Sequence, residues 1–257
     1  MSLPLLPLSA GLFLMVRLTG LMAAAPFFGL EGFPWALRLL LALGTAVVLA
    51  PVAPPTAPPA DLVDLALRGA AEALLGLGLG LCAGMFLAGA KLAGQWMGLQ
   101  MGLGFAGLVD PGSNDPQGAL AHLLSWIALA VFVAADGHHG LLWAVARGCQ
   151  SVPPGEAARS LGALALGVPQ AGAALFFAAV SFAAPVVAVV FSVQVGLALL
   201  ARAAPQFNLL SIGFIVTILA GLWVLSLSLE GVGESVRWES QRSLDLALQT
   251  GGVQAGP

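Results

Sequence analysis

Charge is scarce in this chain. Only 8% of its 257 residues are Asp, Glu, Lys or Arg, against roughly 25% in an average soluble protein. A freely soluble domain of this size would need many more charges to cover its surface. The net charge of −3 gives no reason to expect nucleic acid. Two cysteines, Cys82 and Cys149, cannot make a disulfide framework, and both read as small hydrophobes. The chain has no Walker sequence, no G-x-S-x-G and no H-E-x-x-H, which argues against ATP hydrolysis and the familiar hydrolases. A basic n-region is also missing, and Arg17 interrupts the first apolar stretch, so no cleavable signal peptide is expected.

What the chain does have is apolar length, with 59% hydrophobic residues. Apolar segments cover residues 3–25, 35–53, 69–90, 118–135, 160–201 and 207–229. Each is near or above the roughly 20 residues that cross a bilayer. The expected fold is therefore all-α, a polytopic membrane protein of helical hairpins with kinked helices. A single domain is expected over residues 1–257, with a polar tail from about 231 to 257. "PFFGLEGFP" at 26–34 is bounded by prolines and breaks the helical run. "PVAPPTAPP" at 51–59 is an extended connector, after which Asp61 and Asp64 read as the cap of the next helix.

The 160–201 run contains no charge. As one straight helix it would measure about 63 Å, twice the hydrocarbon thickness. Pro169 and Pro185 offer breaks, so a hairpin or a strongly kinked pair is expected. Under a six-span count, Arg68, Arg147, Arg159, Arg237 and Arg242 share a side with the C-terminus, opposite Lys91 and Arg202. That distribution places the C-terminus in the cytoplasm.

Glycine poses the sharper question. The chain has 33, and Gly102, Gly104 and Gly107 spell a G-x-G-x-x-G. A dinucleotide loop needs a preceding strand and an acidic residue about 20 positions on. Neither is present, so a nucleotide cofactor is rejected and no cofactor is expected. The four-residue spacing says more: Gly76, Gly80 and Gly84 form one row, and Gly94, Gly98 and Gly102 a second. Such rows let helix backbones approach closely, at a cost of about 1 kcal/mol per glycine in helix propensity. After them, Asp110-Pro111-Gly112 has type II turn chemistry, and Asp115-Pro116 offers an N-cap and first-turn proline. Residues 105–113 thus read as a non-helical loop between apolar helices. At membrane depth such backbone must be buried in protein or line a cavity, so a gate and an ordinary surface loop both remain open readings.

"GLQMGLGFAGLVDPGS", with Gln100, Phe105, Asp110 and Pro111, resembles the corresponding stretch of the FliR family of flagellar type III export-gate proteins. The resemblance continues, in order, through "RLTGLMAAAPFFGLEGFPWALR", with Arg17 and Arg38, through "DGHHGLL", and through "ARAAPQFNLLSIGF", with Gln206 and Asn208. It implies a subunit of a helical ring with FliP-like and FliQ-like partners and an FlhB-like switch protein, exporting unfolded flagellar proteins across the bacterial inner membrane. It further implies a plug of Phe105, Gly107, Leu108, Asp110, Pro111 and Gly112. Leu108 stands where some relatives have a second aromatic, which leaves a smaller apolar seal. The resemblance also implies hairpins stacked in an assembly raised from the bilayer plane.

Arg17, Arg38, Gln100, Asp136, His138, Gln206 and Asn208 are expected to serve structure. Arg17 and Arg38 flank the 26–34 break, where they can pair with Glu31 or cap helix carbonyls. Asp136-Gly137 reads as a turn. Neighbouring His138 and His139 diverge by about 100° on a helix, so no metal site and no catalytic site are expected there. The competing readings are a stand-alone secondary transporter or channel and an intramembrane enzyme built on Asp136 and the two histidines.

Overall fold

A computed structural model describes residues 5–26, 34–103, 118–203 and 212–228, and helices account for most of them. In chain order they are α1 (Leu5–Ala24), α2 (Trp35–Leu49), α3 (Leu62–Met101), α4 (Ala119–Ala134) and α5 (Gly137–Ser151), then a 3-10 turn (Ala157–Ser160) and α6 (Leu161–Ala203). A last helix, α7, covers Ile212–Ser228. Local chemistry sets several boundaries. Pro34, in extended geometry with φ −58° and ψ 135°, precedes α2, and Pro51 follows it closely because proline cannot continue the backbone ladder. The Asp64 amide donates to Asp61 Oδ1 at 2.7 Å, while Asp64 Oδ2 accepts from the Ala60 amide at 3.0 Å. Asp61 thus caps the first turn of α3 while Asp64 reaches back to the amide preceding the cap, so α3 starts where the paired acids indicate.

The 160–201 run is not a hairpin. It forms one continuous α-helix of 43 residues through both Pro169 and Pro185. Each internal proline removes one backbone bond. In apolar surroundings, opening a loop instead would strand several peptide groups without partners, which costs more. Likewise α3 runs for 40 residues through Lys91, well past the 69–90 segment. Among the described residues, only α3 and the Ala157–Ala203 stretch are long and apolar enough to cross a membrane singly. Helices α4 and α5, broken at Ala135–Asp136, meet the same test as a pair, so up to three candidate spans lie among the described residues, with Ser9–Ala24, Trp35–Leu49 and Ile212–Ser228 shorter apolar helices.

The chain packs as two compact units. One joins the described residues of Met1–Met85 and Phe132–Ala173; the other joins those of Phe86–Val131 and Ala174–Glu239. In the first unit α1 and α3 touch backbone to backbone. A Cβ on Gly76 would strike the Arg17 carbonyl, and one on Gly20 would lie 2.6 Å from the Ala73 carbonyl oxygen. At Gly80 the obstacle is the Leu21 carbonyl, and at Gly84 the Ala24 carbonyl oxygen at 3.2 Å. Phe13, Leu14, Leu18, Leu21 and Leu75 are buried around this seam.

Within the seam lies an ion pair. Arg17 is 1% exposed and Glu72 0%. Arg17 Nε donates to Glu72 Oε2 at 2.6 Å and Nη2 to Oε1 at 3.1 Å. The guanidinium also donates twice to the Val152 carbonyl, both at 3.1 Å, and the Gly155 amide donates to Glu72 Oε1 at 2.7 Å. Two helices and the segment after α5 are thereby tied at one point. Arg17 does reach a helix-end carbonyl, since Val152 is the C-cap of α5. Its acid is Glu72, however, and Glu31 lies outside the described residues.

The second unit repeats close approach by other means. A Cβ on Gly94 would lie 2.5 Å from Ala121 Cα, and one on Gly89 would lie 2.9 Å from the Leu175 carbonyl oxygen. Gly98 is in ordinary contact with Leu120.

Two outcomes are expected from this packing. Glu72→Ala leaves a guanidinium buried without its acid, a loss of about 3–5 kcal/mol. The double variant Glu72→Ala/Arg17→Met should lose less than Glu72→Ala alone, read as melting temperature in detergent. Gly76→Ala should lower the melting temperature by forcing α1 from α3. Gly69→Ala, on the same helix with nothing within 4 Å of the added carbon, should be neutral or gain up to about 1 kcal/mol.

Candidate functional site

The segment 105–113 carries the residues singled out for a gate, Phe105, Gly107, Leu108, Asp110, Pro111 and Gly112. These lie outside the described residues, as do Asp115, Pro116, Gln206 and Asn208. The end of α3, just before that segment, is described and belongs to the second unit.

Helix α3 stops at Met101, and Gly102 follows with φ +87°. The Gly102 amide donates to the Leu99 carbonyl at 3.0 Å and the Leu103 amide to the Gly98 carbonyl at 2.8 Å. This is a Schellman stop, in which a left-handed residue turns the last carbonyls back into partners. Gly102 therefore does not extend the Gly94–Gly98 packing row. It ends the helix, because a residue with a β-carbon is strained at that φ.

The last turn is anchored on two sides. Gln100 Nε2 donates to Gln194 Oε1 on α6 at 3.2 Å, and Gln194 Nε2 donates to the Gln100 carbonyl at 2.8 Å. A carbonyl in a last helical turn has no partner within its own helix, and here a side-chain amide from α6 supplies one. On α7 the Thr217 hydroxyl lies 3.4 Å from the Met101 carbonyl. Gly221 on the same helix leaves room for the Met101 side chain, which an added Cβ would strike.

The remaining polar candidates belong to the first unit. Arg17 sits in the buried ion pair described above, and Arg38 lies over the Trp35 ring at 5.8 Å. Asp136 adopts a left-handed conformation, φ 56°, as the residue before α5. His139 Nδ1 is 3.1 Å from Asp136 Oδ1. The His138 and His139 rings lie with centroids 4.1 Å apart, tilted by 36°. The divergence expected of helical neighbours is thus overcome by ring-on-ring contact. An open apolar groove of about 380 Å³, lined by Leu12, Met15, Thr19, Trp35, Ala73 and Leu77 among others, borders α1.

Glu72 and Gln194 were missed from sequence. Glu72 is the one acid of α3 beyond its first turn, and Gln194 is one of two side-chain amides on α6. With Arg68 already paired to Asp64, matching the remaining acid of α3 to the one base of α1, and amide to amide, was the available signal.

Residues 8–242 match the family described as Bacterial export proteins, family 1. The chain belongs to that family. It is 30% identical to the flagellar biosynthetic protein FliR of Escherichia coli (strain K12), across 82% of this chain and 81% of that protein. The FliR of Caulobacter vibrioides is 32% identical across 84% and 86% of the two chains. That of Bacillus subtilis is 29% identical across 79% and 80%. Membership of this export family makes the chain a component of the flagellar export apparatus. Together with helices able to cross a bilayer, it gives a membrane location.

Removing the α6 anchor should loosen the end of α3. Gln194→Leu strands the Gln100 amide and carbonyl, a loss of about 1–3 kcal/mol. Amide hydrogen exchange in the last turn of α3 should accelerate, while exchange near Glu72 stays unchanged.

Proposed function

We propose that this protein is a structural subunit of the flagellar type III export gate in the bacterial inner membrane. It assembles with FliP-like and FliQ-like subunits and an FlhB-like switch protein around a conduit for unfolded flagellar proteins. The family match over residues 8–242 carries this reading. Its work is mechanical rather than catalytic: a loop at about 105–113 seals the conduit by packing apolar groups and excluding water and ions.

Three features of the fold support the proposal. Helices α3 and α6, of 40 and 43 residues, are about twice as long as a hydrocarbon core requires, which suits a subunit whose helices reach beyond the bilayer. Large apolar side chains stand exposed on α2 (Leu40, Val48), on α6 (Phe176, Phe191) and on α7 (Leu219, Trp223). Lipid or neighbouring subunits must cover surface of that kind. Finally, the Schellman stop at Gly102 and the Gln100–Gln194 pair give the proposed seal a firm base. A loop that must block a pore needs a fixed point of departure.

Co-expression with FliP-like and FliQ-like proteins should yield one particle containing all three, and separate migration of this chain would overturn the assignment. In such an assembled particle, Phe105→Ala or removal of residues 107–112 should raise membrane conductance to ions. Conductance at background in a correctly assembled variant would sink the plug while leaving the subunit assignment intact.

A further inference from the structure

The turn before α5 gathers a set of ligands that a structural turn does not require. One ligating atom from each of Asp136, His138 and His139 lies within 4.8 Å of the other two. Asp136 occupies the N-cap position of α5, where an aspartate normally accepts from the free amides of the first turn. Its carboxylate makes no such bond; instead its Oδ1 lies 3.1 Å from His139 Nδ1. Asp136 is also the only non-glycine residue at positive φ among the described residues. Its carboxylate is thus directed to the histidines rather than to capping.

We infer that Asp136, His138 and His139 form a binding site for one divalent transition-metal ion, with Zn2+ the best chemical match. Two imidazoles and one carboxylate make a borderline donor set, which suits Zn2+ and its neighbours in the first transition row. Mg2+ and Ca2+ favour shells of oxygen and are poorly served. Tetrahedral Zn2+ holds its nitrogen and oxygen ligands at about 2.0–2.2 Å, so neighbouring donors stand about 3.3 Å apart. Asp136 Oδ1 and His139 Nδ1 already stand at that spacing, 3.1 Å apart, and the widest remaining gap must close by at most about 1.5 Å. The Asp136 and His139 side chains are 77% and 71% exposed, so both have room to rotate toward the half-buried His138. A fourth position remains for water or for a donor from a neighbouring protein. The bound ion would staple the turn at Asp136 to the first turn of α5 and stiffen the break between α4 and α5.

The test uses the full chain, purified in detergent with a tag free of histidine and titrated with Zn2+ by calorimetry. Wild type should take up one Zn2+ per chain, unaffected by millimolar Mg2+, and Co2+ in its place should give visible ligand-field absorption. Asp136→Asn and His139→Ala should each weaken binding at least tenfold. His122→Ala, which changes the chain's only other histidine, should bind as wild type. Circular dichroism confirms that each variant is folded. Should Asp136→Asn not fold, His139→Ala at its exposed position decides the question alone. Absence of uptake by wild type at micromolar Zn2+, or unchanged uptake by a His138→Ala/His139→Ala double variant, overturns the site.

Discussion

An arginine and a glutamate with no access to water must satisfy each other or unfold what surrounds them. Arg17 and Glu72 do so with two hydrogen bonds between them, and the surplus donors of the guanidinium go to the Val152 carbonyl at the end of α5. Glu72 in turn accepts from the Gly155 amide. The pair is weak evidence for net stability, because desolvating two charges offsets most of their attraction. It is strong evidence for register. Apolar side chains tolerate sliding along one another, whereas this network closes only when α1, α3 and the 152–155 segment are aligned. The glycine seam makes it possible, since backbones in contact at Gly20 and Gly76 bring the two charged side chains within reach.

The same rule, that polar groups in apolar surroundings need a named partner, operates in the second unit. There the partners are neutral. Gln194 caps a helix-end carbonyl and exchanges a side-chain bond with Gln100. Amides avoid the desolvation cost of ions and still specify alignment. A protein with 8% charged residues can place few such groups, so each has large leverage over how its helices meet. The abundant apolar side chains left exposed on α2, α6 and α7 follow from the same composition, and apolar surface of that kind calls for an apolar cover.

Much of the fold could be read from residue order. Six apolar runs announced helices, the prolines at 26–34 and 51–59 marked interruptions, and Asp61 with Asp64 marked the start of α3. These signals are local: a cap, a proline or an apolar run acts within a turn or two of itself. Family likeness was legible too, because four blocks in the right order survive without any knowledge of contacts. Local signals mislead where the competing structure is not local. Pro169 and Pro185 suggested a break, yet one missing bond each is cheaper than a loop among apolar neighbours. Gly102 matched a packing row by spacing but serves as the stop that the row does not reveal.

Composition and order by themselves determined that the chain is helical, that it belongs with membranes, and which export family it joins. Hydropathy and proline placement act through the solvent and the local backbone, and both are written in the linear chain. Tertiary structure alone decided which acid Arg17 takes, that Gln100 meets Gln194, and that the His138 and His139 rings stack beside Asp136. Those outcomes depend on distances between residues far apart in sequence, or on side-chain rotations. Both are settled only when backbones are packed closely enough to leave each polar atom one available partner.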